Sequence, residues 1–210
     1  MLTRRLIMPI ALIAVAMVSA VACADSLLRE ERTVIVNGIA ETWQLRWAKP
    51  PSSYCGPESV LKAISCPCRG FAYGETGTLL LVRLRGNTEV ERLNLSPLYQ
   101  EWNDRNQSFL GADGDGAALP HWPMNDSDFD RESNGDKTLL AEIKNRPPTQ
   151  IMQLADYDHD GQATEFLIPV AAPTCEDGTY YVAVGVSKDN PHLHGLAPAD
   201  DPKDPFVIRR

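Results

Sequence analysis

Between Leu154 and Val170 the chain reads LADYDHDGQATEFLIPV. Asp156, Asp158 and Asp160 stand at alternate positions, Gly161 follows, and a further carboxylate, Glu165, precedes an apolar run. Carboxylates so closely spaced repel one another, and the stretch holds no Lys or Arg to offset them. A hard divalent cation would offset them. Calcium suits the set best, because it takes about six to eight oxygen ligands in a flexible shell that accepts carboxylates, carbonyls and water together. Counted from Asp156, the glycine falls at the sixth position and Gln162 at the seventh, where an EF-hand loop supplies its backbone carbonyl. The twelfth position is Leu167, where the EF-hand requires a bidentate glutamate. Thr149–Ala155 and Phe166–Val170 are short, apolar and β-branched rather than helical in pattern, and both are expected to be strands. The reading is a calcium site between two strands. Its expected ligands are Asp156, Asp158, Asp160 and the carbonyl of Gln162, with Glu165 as the late acidic ligand and Thr164 joining directly or through water. A solvated acidic turn is the competing explanation, since Asp and Gly are ordinary turn residues.

The segment resembles the D-x-D-x-D-G-x-x-[DE]-apolar loops of FG-GAP and VCBS-type repeats, which lie between strands. Its late carboxylate falls at the tenth position rather than the ninth. The order of the pieces along the chain also resembles a group of small exported bacterial proteins without an assigned activity. They share a tryptophan hairpin, a Cys-Pro-Cys, the calcium loop and a Leu-His segment, and the resemblance implies a class rather than a mechanism.

Export is expected from the first 24 residues. Arg4 and Arg5 precede an apolar run over Leu6–Val18, and small residues follow, as in a signal peptide. The run is short for a transmembrane span. Ser19-Ala20-Val21-Ala22-Cys23 resembles a lipobox, which would lipidate Cys23, while cleavage after Ala24 would leave a soluble chain. The formal net charge is −8, and residues 1–24 contain two arginines and no acids, so the processed chain is more acidic still. Such a surface repels phosphate and excludes nucleic acid as a partner. Membrane contact is expected only through an anchor at Cys23, and the compartment is periplasmic, envelope-anchored or secreted.

Both cleavage routes leave Cys55, Cys66, Cys68 and Cys175. In an oxidising compartment four cysteines read as two disulfides. Cys66 and Cys68 flank a single proline and are poorly placed to pair with each other, so one is expected to reach Cys175 and the other Cys55. A four-cysteine zinc site is the rival, although the C-x2-4-C spacing it favours is missing.

The remaining elements must position this loop. Residues 25–32 read as a polar tether, and 33–210 as a single domain. Asn37-Gly38 marks a hairpin within Thr33–Trp47. Thr78–Leu84 and Val90–Leu95 form a second pair of strands around Gly86, in which Arg83 and Arg85 would share a solvated face. Residues 103–136 read as a long acidic loop, and Asp113, Asp115, Asp126, Asp128 and Asp130 in it read as solvated rather than ligating. Trp122 is expected to pin that loop to the body. Lys137–Lys144 reads as a short helix or strand, and Tyr180–Val186 as a buried strand. His192 and His194 would share a strand face without a third metal ligand nearby. The fold class that results is mainly β, a β-rich α+β domain in a compact antiparallel sandwich or barrel-like arrangement, with one or two short helices. No G-x-S-x-G, H-E-x-x-H or other nucleophile motif occurs. The expected function is therefore an exported, calcium-binding, disulfide-stabilised β module with a structural or binding role. A secreted hydrolase with an acidic active site, or a carbohydrate-binding module using Trp122 or Trp102, is the alternative.

Overall fold

The computed structural model describes residues 26–54, 74–100, 117–169, 180–196 and 207–209. Strands β1 (Leu27–Val36) and β2 (Ile39–Trp47) form the expected hairpin. Asn37 and Gly38 take φ of 51° and 79°, the left-handed conformations that a two-residue turn of matching twist requires. β3 (Ser52–Tyr54) and β4 (Gly74–Gly77) follow. β5 (Leu79–Arg85) pairs with β2, and β6 (Thr88–Asn94) with β5, giving an antiparallel sheet in the order β1-β2-β5-β6. β4 lies between β3 and β7 (Ala117–Leu119) in a small second sheet. The third sheet is built on β9 (Tyr180–Gly185), which pairs with β8 (Glu165–Pro169), β10 (His194–Gly195) and β11 (Val207–Arg209).

Alternation along β2 sends Glu41, Trp43, Leu45 and Trp47 inward. Trp43 and Leu45 meet Leu79 and Leu81 of β5, together with Phe166 and Ile168 of β8 and Val182 and Val184 of β9, in one apolar cluster. Each fully buried side chain of this kind contributes about 1.5–3 kcal/mol. A satellite core of Phe129, Leu139 and Ile143 holds two short helices, α1 (Asp126–Ser133) and α2 (Leu139–Lys144), and Trp122 packs against it. The domain is mainly β, with antiparallel sheets and few short helices, as the sequence implied.

Several expectations change. β1 begins at Leu27, so most of the supposed tether is strand. Part of the supposed acidic loop is helix α1, started by a capping box between Asn125 and Asp128. Arg83 is 4% exposed rather than solvated: it forms two hydrogen bonds with buried Glu41, at 2.7 and 3.0 Å, and its guanidinium lies over Trp43. Arg85 reaches the same carboxylate at 2.9 Å. The disulfide-stabilised module is also corrected, because no disulfide is present among the described residues. Cys55, Cys66, Cys68 and Cys175, the signal segment with Cys23, Trp102, Asp113 and Asp115 lie outside the described residues.

Thr149–Ala155 is not a strand. The amides of Ile151 and Met152, which a ladder would have used, donate to the buried carboxylate of Glu30 at 2.7 and 3.0 Å. Arg32 balances that charge at 2.6 Å. One acidic side chain on β1 thus does the work of a neighbouring strand and brings the chain to the head of the acidic loop.

Glu30→Ala is expected to leave both buried amides unsatisfied and to cost about 2–4 kcal/mol, read as a lower urea midpoint. In the helical region, Arg146 holds the Asp128 carboxyl down at about 2, against the opposing effect of burial and with help from the Asn125 amide. A depressed carboxyl stabilises the fold above its ordinary value of 3.8 and loses that contribution as pH falls through about 2. The melting-temperature gap between the wild type and Asp128→Asn should therefore close as the pH is lowered across that interval.

Candidate metal centre

The loop opens at Ala155 and closes at Glu165, which exchange backbone hydrogen bonds of 2.9 and 3.2 Å as an isolated antiparallel bridge. Between them the chain turns through His159 at φ 62° and Gly161 at φ 92°. The glycine meets the sharp turn at no steric cost, as the loop pattern required. Carboxylates tie three of the loop's amides. Asp156 Oδ2 accepts from the Gly161 amide at 3.0 Å, Asp158 Oδ1 from Asp160 at 3.1 Å, and Asp160 Oδ1 from Gln162 at 2.8 Å.

Asp156, Asp158 and Glu165 each bring a carboxylate oxygen to within 4.8 Å of the other two. Oxygens on opposite sides of a calcium ion, with ligands at about 2.3–2.6 Å, stand about 4.6–5.2 Å apart, so the three fit one shell. Their settings differ. Glu165 is fully buried at the first residue of β8, Asp156 is half-buried, and Asp158 faces solvent. The Oδ1 of Asp156 is buried and has no hydrogen-bond partner. None of the ion pairs among the described residues involves any of these three carboxylates.

Electrostatics report the same crowding. Burial pushes the Glu165 carboxyl above its ordinary value, and the charges of Asp158 and Asp160 add to the rise. Hydrogen bonds from the Thr164 hydroxyl and the Tyr157 amide, at 2.6 and 2.8 Å, only partly offset it. Partial burial likewise raises the Asp158 carboxyl, and Asp160 and Asp156 raise it further. A group that gathers such carboxylates and leaves one buried oxygen unsatisfied has the chemistry of a cation site.

The expected ligands divide. Asp156, Asp158 and Glu165 come together, and Glu165, the residue out of step with the repeat pattern, is the most deeply buried. Asp160 is not among the converging carboxylates: its second oxygen accepts from the Lys188 amide at 2.6 Å, beyond the end of β9. Thr164 is buried, with its hydroxyl 2.6 Å from Glu165 and 3.0 Å from the carbonyl of Val186, so it braces the glutamate against β9. Gln162 gives its amide to Asp160. Elsewhere, His192 lies 3.3 Å from Glu91, and a ring nitrogen of His194 lies 2.8 Å from the His192 carbonyl. Neither belongs to a group of three metal-ligating side chains among the described residues. Trp122 stacks at a tilt on His121, with Lys144 over its ring.

Gly185 was missed in the sequence. It faces Glu165 across the β8–β9 ladder, and a Cβ there would stand 2.2 Å from the Thr164 carbonyl oxygen and 2.8 Å from the Glu165 Cα. Its signal was present in YYVAVGV, since a glycine inside a strand often marks close approach of another backbone.

No family model, curated protein or solved structure matches the chain. Spacing and geometry alone mark the loop as a site.

Because the obstacle at Gly185 is backbone, it cannot rotate away. Gly185→Ala should force β8 from β9 at Glu165, cost about 1–3 kcal/mol, and weaken divalent-ion binding, read by thermal melts with and without the ion.

Proposed function

We propose that the 156–165 loop binds calcium, and that the ion fixes the start of β8 in a β-rich domain that works outside the cytoplasm in a structural or binding role. The observation that carries this reading is the buried, partnerless Oδ1 of Asp156 beside the carboxylates of Asp158 and Glu165. Calcium is favoured over zinc because the converging ligands are all carboxylates, with neither His nor Cys among them. It is favoured over magnesium because two of the three carboxylates come from an irregular turn, and magnesium demands near-octahedral geometry and keeps most of its water. The exposed position of Asp158 leaves the solvent side for water ligands.

Location outside the cytoplasm is supported by the signal-like residues 1–24, with Cys23 as the candidate anchor. Extracellular calcium modules work in millimolar calcium, so modest affinity suffices there. An ion that binds only the folded state stabilises it by about 2.7 kcal/mol at a hundredfold excess over the dissociation constant.

The test is a calorimetric titration with calcium, paired with melting curves in calcium and in chelator. Saturable binding and a higher melting temperature in calcium are expected, with both effects lost or strongly reduced in Asp158→Asn. Superimposable melts in calcium and chelator, with no heat of binding, would remove the ion from the account.

A further inference from the structure

Asp160 is the loop carboxylate that leads elsewhere. Its Oδ1 accepts from the Gln162 amide inside the loop at 2.8 Å, and its Oδ2 from the Lys188 amide at 2.6 Å. Lys188 lies in a tight turn in which Ser187 and Asn190 exchange backbone hydrogen bonds of 3.0 and 3.2 Å. Thr164 adds a second tie to the same place through the Val186 carbonyl.

Beyond the turn the chain is held by the other sheet. Arg83 donates to the Pro191 carbonyl at 2.7 Å and to Glu91 at 2.6 Å, while Glu91 accepts from the Leu193 amide at 3.0 Å. The same Arg83 is locked by buried Glu41. Residues 186–193 are therefore strapped at one end to the acidic loop and at the other to the core of the β1-β2-β5-β6 sheet. Only the first end depends on the loop keeping its shape.

We propose that cation binding at Asp156, Asp158 and Glu165 is coupled through Asp160 to residues 186–193, so that the ion controls how firmly this strap closes on the domain. The inference rests on the calcium reading above and adds its consequence away from the ion. Without the ion, repulsion among the three carboxylates favours opening of the loop, and Asp160 is carried away from the Lys188 amide. With the ion, the His159–Gly161 turn is fixed and Asp160 is presented to Lys188. Linkage requires reciprocity: whatever the ion does for the strap, the strap does for the ion's affinity.

The experiment is amide hydrogen exchange on the full chain, in calcium and in chelator, with calcium binding measured calorimetrically on the same sample. The expected result is exchange at the Lys188 amide slowed about tenfold or more by calcium, with smaller slowing at Leu193. Lys188→Pro, which removes the donated N–H, should weaken calcium by a similar factor. Calcium that binds and protects the Tyr157 and Gly161 amides while leaving exchange at Lys188 unchanged would overturn the coupling and spare the calcium site. Absence of calcium binding would overturn the site, and the coupling with it.

Discussion

A carboxylate buried at the first residue of β8 is the constraint to which the loop answers. An ionised side chain removed from water needs donors or counter-charge, or it gives up its charge. Glu165 has two donors, the Thr164 hydroxyl and the Tyr157 amide, and its neighbours in space include Asp158 and Asp160 rather than a lysine or arginine. Two neutral donors offset part of the cost of burial, and two like charges add to it. Elsewhere the domain solves the same problem with arginine: Glu41 with Arg83 and Arg85, Glu30 with Arg32, Asp128 with Arg146. At the loop no arginine or lysine among the described residues pairs with Asp156, Asp158 or Glu165, a contrast within one molecule.

The same comparison explains how so acidic a chain stays organised. Its carboxylates are used to cap backbone amides that strands and helices leave unpaired. Glu30 serves Ile151 and Met152, Glu91 serves Leu193, Asp160 serves Gln162 and Lys188, and Asp128 serves Asn125 at the start of α1. Buried amides must find an acceptor, and where the chain is irregular a carboxylate is the strongest one at hand. Segments such as 149–155 can then be irregular and still lie against the core.

Much of this was legible in the sequence, for identifiable reasons. Hairpin β1–β2 showed itself because Asn37-Gly38 is a local signal whose conformation is fixed by two residues, and β9 because an apolar run has few places to go. Period and turn chemistry also located the acidic loop and its glycine. Arg83 looks solvated in the sequence because alternation says which face a residue takes but not whether that face is covered, and Glu41 lies 42 positions away. Segment 149–155 read as strand because its side chains suit one, while the acceptor that replaced the ladder sits on β1, about 120 positions away. Cysteine count and compartment alone suggest disulfides, and neither fixes which thiols come together.

The division of labour inside the loop was hidden for a different reason. Spacing made Asp156, Asp158 and Asp160 equivalent, because alternate residues of one short stretch share a pattern. The His159–Gly161 turn breaks that equivalence by reversing the chain between the second and third aspartates. Asp160 is swung toward Lys188, and its place in the cluster passes to Glu165, which arrives on the strand that follows. A late carboxylate displaced by one position counts as a departure when measured along the chain. In space it is what β8 requires. Its first residue stands opposite Gly185, where the two backbones approach closely, and Thr164 braces the carboxylate from behind through the Val186 carbonyl just past β9. The glycine on β9, the threonine before β8 and the glutamate at its head therefore form one device. The aspartates supply charge to a position that these three residues define.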